Sequence, residues 1–337
     1  TPGFPFILGA QDETFRNTIA ANGFLTTDTN QIARYLNLSS VDITGSATIE
    51  PIKGFRISVN FNKRQSFNVT SNFRYSQTQS DFDDVFYTEV GTFTTSFGTW
   101  NTMFDKLNDD YSSAAFDQFK NNRYTIAQRL QVREFTGNGA YANRYENQRN
   151  VIDDSTGFPI GFSNKHQEVL THAFIAAYSG KNASTSSLNP FKNLPIPNWR
   201  ISYNGLTKLD IFKEIFSNIS ISHGYESTLN ISSFQQPPLY GIDSLERGSN
   251  LETEYRFNSG ISIIERLTPL IGIDVTTKEG LTAKFEYKTS RNLQLNVISA
   301  RMVEVRNKEI VIGAGYRTSG LRLPIKMKGN RIILRND

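Results

Sequence analysis

The stretch Leu281-Thr282-Ala283-Lys284-Phe285-Glu286-Tyr287-Lys288 decides the fold. Leu281, Ala283, Phe285 and Tyr287 alternate with Thr282, Lys284, Glu286 and Lys288. Successive side chains of a strand point to opposite faces, so this period of two means a strand with one apolar and one polar face. The alternation continues on both sides. Before Lys278-Glu279-Gly280, Ile271, Ile273 and Val275 oppose Gly272, Asp274 and Thr276. After Ser290-Arg291, Leu293, Leu295 and Val297 face away from Gln294, Asn296 and Ile298. After Arg306-Asn307-Lys308, Ile310, Ile312, Ala314 and Tyr316 oppose Val311, Gly313, Gly315 and Arg317. Connections this short join antiparallel neighbours, so Pro269 to Arg317 is expected to form a β-meander of four segments.

The composition narrows what such strands can build. The chain has 337 residues, 38% hydrophobic and 12% aromatic, with 25 Phe and 14 Tyr. No apolar run reaches the roughly 18 residues that a transmembrane helix needs. A membrane barrel escapes that test because half of each strand is polar. The absence of cysteine excludes disulfides, thiol chemistry and Cys-based metal sites. A net charge of +4 arises from 36 basic and 32 acidic residues that are well mixed, so no nucleic-acid partner is expected. Thr1-Pro2-Gly3-Phe4-Pro5 has neither the basic start nor the apolar core of a signal peptide, and Arg331 to Asp337 reads as a strand cut short. Both ends are expected to be cuts in a longer protein.

Residues 1–100 read as barrel strands and loops. A short helix is expected from Phe15 to Leu25, closed by Asn22-Gly23. Val41, Ile43, Ala47 and Ile49 form one strand face, and Glu50-Pro51-Ile52-Lys53-Gly54 makes a turn. Phe55, Ile57, Val59 and Phe61 then alternate with Arg56, Ser58, Asn60 and Asn62, and Phe67 to Tyr75 continues the pattern. Gly91 to Phe97 adds a further strand.

Residues 101–198 read as a helical and loop insert, a plug, cap or lumen filler, ending in a Pro-rich connector. Phe116, Phe119, Ile126, Ala127 and Leu130 recur at helical spacing from about Ser113 to Gln131, with Ser112 or Ser113 as cap. A second helix is expected over His166–Ser179, capped by Ser163 or Asn164 and stopped at Gly180. Residues 199–337 return to strands, including Trp199–Tyr203 and Ile219–Phe234, with a longer loop over Gln235–Asn250.

Nothing in the chain points to catalysis, so no enzyme and no cofactor is expected. His166 and His172 are six apart, not the four that place two ligands on one helix face. His166-Gln167-Glu168 resembles half of a zinc-deaminase motif whose other half needs cysteine. Asp109-Asp110 and Asp153-Asp154 lack an ordered calcium loop and read as turns. Asn68-Val69-Thr70, Asn218-Ile219-Ser220 and Asn230-Ile231-Ser232 fit the glycosylation acceptor but fall in expected strands, so they read as polar strand faces.

The alternation suits two environments equally. A soluble sheet turns its apolar face to a core and its polar face to water. An outer-membrane barrel turns the apolar face to lipid and the polar face to a lumen. Several stretches, in order, carry a resemblance that separates the two. They are Asn122-Arg123-Tyr124-Thr125-Ile126-Ala127-Gln128-Arg129-Leu130 and Val169 to Lys181. Leu194-Pro195-Ile196-Pro197-Asn198-Trp199 through Leu206 follows, then Ser222-His223-Gly224-Tyr225. The last are Leu267-Thr268-Pro269-Leu270-Ile271-Gly272-Ile273-Asp274-Val275 and Glu286 to Leu293. Together they resemble the SprA (Sov) family, the outer-membrane translocon of the type IX secretion system and gliding motility in Bacteroidetes. The first hundred residues match less distinctly.

The resemblance implies part of a very large transmembrane β-barrel that passes folded proteins bearing a C-terminal sorting signal. It implies a lateral opening, a PorV-type barrel and a plug protein as partners, and outer-membrane lipid around the wall. At about 10 residues per strand the chain offers roughly a dozen strands, against about 36 in the largest known barrel, so it is expected to be a C-terminal-part fragment. On that reading Phe55, Ile57, Val59, Phe61, Ile271, Ile273, Phe285, Tyr287, Ile310 and Ile312 face lipid. Arg56, Asn60, Asp274, Lys284, Glu286, Gln294 and Asn296 face the lumen, and the helix 166–179 packs on the barrel or a partner. Two alternatives stand beside it: a smaller outer-membrane barrel acting as receptor or adhesin, and a soluble β-rich binding domain.

Overall fold

The computed structural model describes residues 4–7, 14–242, 244–245, 250–258, 260–317, 321–327 and 330–334. Two short helices, α1 (Phe4–Ile7) and α2 (Phe15–Ala21), precede three long strands, β1 (Tyr35–Ile52), β2 (Phe55–Ser76) and β3 (Asp81–Ser96). The chain then leaves the sheet through α3 (Trp100–Met103), α4 (Ala114–Phe135), α5 (Ala142–Tyr145), the small hairpin β4 (Ile152–Asp153) and β5 (Phe158–Pro159), and α6 (Gln167–Tyr178). It returns as β6 (Asn198–Tyr203), turns through α7 (Asp210–Lys213), and runs on as β7 (Phe216–Gln235) and β8 (Arg256–Phe257). The series continues with β9 (Ile261–Thr277), β10 (Leu281–Asn296) and β11 (Arg301–Tyr316), and closes with a separate hairpin of β12 (Leu321–Met327) and β13 (Asn330–Leu334).

The protein is mainly β, and one antiparallel nine-stranded sheet dominates it in the order β1-β2-β3-β7-β9-β10-β11. Neighbours in sequence are almost everywhere neighbours in the sheet, as a meander requires. Among the described residues β1 and β11 are its two edges.

One position in the sheet is shared. β2 pairs with β3 over Lys63–Ser76 and with β6 over Phe55–Asn60, and β7 pairs with the same two strands in the same order. β3 and β6 are therefore the upper and lower halves of one strand, interrupted by residues 97–197. Side chains and backbone stitch the break. Ile196 N–H donates to Ser96 O at 3.1 Å, Asn62 N–H donates to Ser96 Oγ at 2.9 Å, and Ser227 N–H donates to Asn198 Oδ1 at 2.8 Å. The exposed polar groups that a strand end would leave are thus satisfied.

The excursion folds back over the upper half of the sheet. α6 is buried on all sides from Glu168 to Tyr178, which fits its Val-Leu-Thr-His-Ala-Phe-Ile-Ala-Ala run. It lies between the sheet residues Phe93, Leu229, Ile231, Ile263, Leu293 and Leu295 and the buried stripe of α4, Phe119, Ile126, Ala127 and Leu130. Burial of each such aromatic or aliphatic side chain contributes about 1.5–3 kcal/mol. Ser113 caps α4 by accepting from Phe116 N–H, and Gly180 ends α6 with a φ of +69°.

Several expectations change. The residues 269–317 form three long strands, not four segments. Ser290-Arg291 and Arg306-Asn307-Lys308 lie inside β10 and β11, and the turn falls at 297–300. Phe67 to Tyr75 is likewise the continuation of β2. The insert begins at Phe97 and ends before Asn198, so its bounds shift from 101–198 to 97–197. The position before α6 is held by His166 with no side-chain cap, because Ser163 and Asn164 lie too far upstream. α2 stops at Ala21, short of Leu25, with Gly23 at a φ of +73°. At the C-terminal end β13 covers Asn330–Leu334, and 335–337 lie outside the described residues.

Candidate functional site

The register sorts the expected residues onto two faces. β10 pairs with β11 without a shift from Leu281 to Asn296, so its odd-numbered side chains share one face throughout. Leu293 and Leu295 lie under the insert, hence Phe285 and Tyr287 lie on that same face lower down. β2 behaves identically. Phe67 meets Phe191 and Phe234 beneath the insert, and Phe55, Ile57, Val59 and Phe61 continue the row downward. Ile271 and Ile273 pair with Tyr287 and Phe285, which in turn pair with Ile310 and Ile312. All the expected lipid-facing residues therefore share the insert's face.

Below the insert this face is bare. Ile312 is 78% exposed, Ile310 64% and Ile271 43%, and Phe55, Ile57, Val59 and Phe61 are half-buried. A lumen-filling insert and a lipid-facing Phe285 exclude one another, since both occupy one side of the sheet. The bare band runs along β10 from Leu281 to Tyr287, about 20 Å at a rise of about 3.4 Å per residue.

The opposite face carries the expected lumen residues. Arg56, Asn60, Asp274, Lys284 and Glu286 lie behind the bare band, while Gln294 and Asn296 lie higher, behind the insert-covered rows. Lys284 and Lys288 bracket Glu286 at 2.9 and 3.2 Å, and Lys288 reaches Glu309 at 3.4 Å. An open depression on this face is lined by Arg200, Arg266, Glu286, Lys288, Asn307 and Glu309. Its charges are of both signs, with Thr268, Thr289 and Ser290 among them. Such a surface binds water well and offers no single reactive group. Among the described residues no three His, Asp or Glu side chains converge on a metal position, and Asp110 and Asp153 accept from Ser112 and Ser155 in turns. No described helix is long and apolar enough to cross a membrane, which leaves strands untested.

Two buried clusters escaped the sequence reading. At the root of the insert, Arg291 (side chain 1% exposed) donates to Glu265 Oε2 at 2.7 Å, to Thr102 O at 2.7 Å and to Thr99 O at 3.4 Å. Tyr225 OH donates to the other Glu265 oxygen at 2.7 Å. The sheet thus grips the backbone of α3. The signal lay in the apolar rows themselves: Glu265 interrupts Ile261, Ile263, Leu267, and Arg291 interrupts Tyr287, Leu293, Leu295.

The second cluster ties the insert's helices together. Arg133 contacts Glu168 at 2.9 Å and Glu134 at 2.6 Å, and Tyr240 OH donates to Glu134 at 3.2 Å. Burial pushes the Glu168 carboxyl up to about 7, against the pull of Arg133. Burial works against the Arg133 charge, but Glu168 and Glu134 outweigh it and hold its pKa above the ordinary value. Burial lowers His166 to about 4 and His172 to about 3. His166 Nε2 donates to Leu251 O at 3.1 Å, and its Nδ1 has no partner to receive a second proton. His223, in β7, donates from Nδ1 to Leu270 O at 2.8 Å.

No protein-family model and no curated protein matches the chain.

Proposed function

We propose that the sheet is a section of the wall of a protein-conducting outer-membrane barrel, of the kind the SprA resemblance implies. The observation that carries this is the division of its apolar face at one level, covered above by the insert and bare below. On this reading the bare rows of Ile271, Ile273, Phe285, Ile310 and Ile312 meet lipid. The face of Arg56, Asp274, Lys284 and Glu286 lines an aqueous path wide enough for folded cargo with a C-terminal sorting signal. Transport then follows from shape and hydration and needs no reactive side chain.

The reading moves the insert from the lumen to the outer side of the wall. The bare end carries the hairpin turns Lys53–Gly54 and Lys278–Gly280 and the connector 204–215, whereas the longest excursion, the insert, leaves from the other end beside residues 236–242 and 250–258. Outer-membrane barrels keep short turns on the periplasmic side and long loops outside. The insert therefore belongs on the cell surface. β1 and β11 would pair with further strands of the wall, and a PorV-type barrel and a plug are partners of the whole assembly. A soluble binding domain would need a cover over Ile310 and Ile312. A small closed barrel would need β1 to pair with β11, and among the described residues both are edges.

The chain has no cysteine, so single-cysteine variants read each face cleanly. Ile273, Asp274, Val275 and Thr276 would be replaced one at a time and exposed to a membrane-impermeant maleimide in lipid vesicles. Alternating protection, with the cysteines at 273 and 275 shielded only when lipid is present, supports the wall. Labelling of all four, or shielding of 273 and 275 without lipid, refutes it.

A further inference from the structure

We propose that the root of the insert, residues 99–111, is an anchor in the headgroup layer of the leaflet beneath the insert. The proposal rests on the wall reading and adds a lipid contact made by the inserted segment, not by the strands.

The position of α3 motivates it. Its Thr102 and Met103 are buried against the sheet, while Trp100 is 42% exposed and Phe104 63% exposed. Leu107 is exposed as well. The Trp100 ring packs edge-on to Trp199 at 5.7 Å and to Tyr225 at 5.9 Å, and Trp199 stacks on Tyr225 at 4.4 Å. This row marks the upper limit of the bare band. Tryptophan suits such a level because its ring body is apolar and its N–H seeks water or headgroups.

A second apolar belt lies at the other end. The connector between β6 and β7 exposes Leu209, Ile211 and Ile215 beside Phe216. From Phe216 to Tyr225 along β7 is about 30 Å at roughly 3.3 Å per residue. At a tilt of about 40° the two belts stand about 23 Å apart, close to the apolar band of about 25 Å in such barrels. The lower belt comes from a connector and the upper one from the insert, so each interface is met by a segment outside the ladder. The Arg291–Glu265 pair then has a positional role. By holding the Thr99 and Thr102 carbonyls it fixes the height of Trp100 on the wall.

Trp100 and Trp199 are the chain's two tryptophans, and Trp199→Phe leaves Trp100 alone. The 337-residue chain would be reconstituted in phosphatidylcholine vesicles whose acyl chains carry bromine either near the glycerol or near the methyl end. A second reporter, Ile273→Trp in a Trp100→Phe/Trp199→Phe background, reads the wall itself. The expected result is quenching of Trp100 at least about twofold stronger by the shallow bromines than by the deep ones, with the reverse order for the tryptophan at 273. If the reporter at 273 is quenched and Trp100 is untouched, or is quenched more by the deep bromines, the anchor is overturned and the wall stands. If neither is quenched, both fall.

Discussion

Ile273→Arg tests the wall most directly, because the register fixes its depth. Ile273 pairs with Ile221 on one side and Phe285 on the other. Ile221 lies five residues from Phe216 and four from Tyr225, so Ile273 stands close to midway between the two apolar belts. An arginine at the midplane of a barrel's lipid face costs about 2–4 kcal/mol, falling to about 0–1 near an interface. Val275, which pairs with Ile219 nearer the lower belt, should cost less for the same change. Lys284→Gln, on the opposite face, should be mild. Urea unfolding from vesicles, followed through the tryptophan cluster, measures all three. Equal tolerance of Arg at 273 and 275, or a loss at Lys284→Gln as large as at Ile273→Arg, would refute the assignment of faces.

Three further outcomes follow from the packing. Glu265→Gln leaves the Arg291 guanidinium buried without its counter-charge and should cost about 3–5 kcal/mol in urea titration, whereas Glu265→Leu/Arg291→Leu should recover much of it. Gly91→Val should cost about 1–3 kcal/mol in the same assay, since a Cβ there would run into the Phe234 ring and the Ser66 carbonyl oxygen, and Ala at the same position should be nearly as poor. Acidification should weaken the insert. His166 and His172 have folded pKa values below 6.5, so the unfolded chain takes up their protons first and stability is lost as pH falls. Glu168, raised to about 7, opposes them by one proton. Between about pH 6 and 4.5 the two histidines outweigh it, so stability should fall by on the order of 1 kcal/mol per pH unit, and His172→Leu should flatten that slope in a thermal melt against pH.

What the sequence disclosed were local patterns. The alternation in Leu281–Lys288, the turn at Lys278–Gly280, the Ser113 cap and the Gly180 stop each depend on residues a few places apart. The misplaced breaks at Ser290-Arg291 and Arg306-Asn307-Lys308 share one cause. Charged side chains look like turns until their partners are known, and the partners of Arg291 lie at Glu265, Thr99 and Thr102. The lipid and lumen sets could be divided by parity alone, and the register keeps that division. Parity cannot say which face an insert will cover. That depended on the union of β3 with β6 across residues 97–197, a pairing that no local period records.

Strand length explains why an insert belongs there. A barrel strand crosses the membrane in about 9–11 residues. β2 has 22 residues, β7 has 20 and β10 has 16, so on the proposed wall each would carry a further stretch with no lipid to face. The apolar residues at that level, Phe93, Leu229, Ile231, Leu293 and Leu295, would be left in water without a cover. The chain leaves the sheet at Ser96, at the level where the covered rows give way to the bare ones, and so supplies that cover at the point of need. It rejoins at Asn198 in the same strand position, so β2 and β7 keep a partner along their length. The interruption leaves the ladder whole, and the proposed wall would gain a surface domain without a new strand.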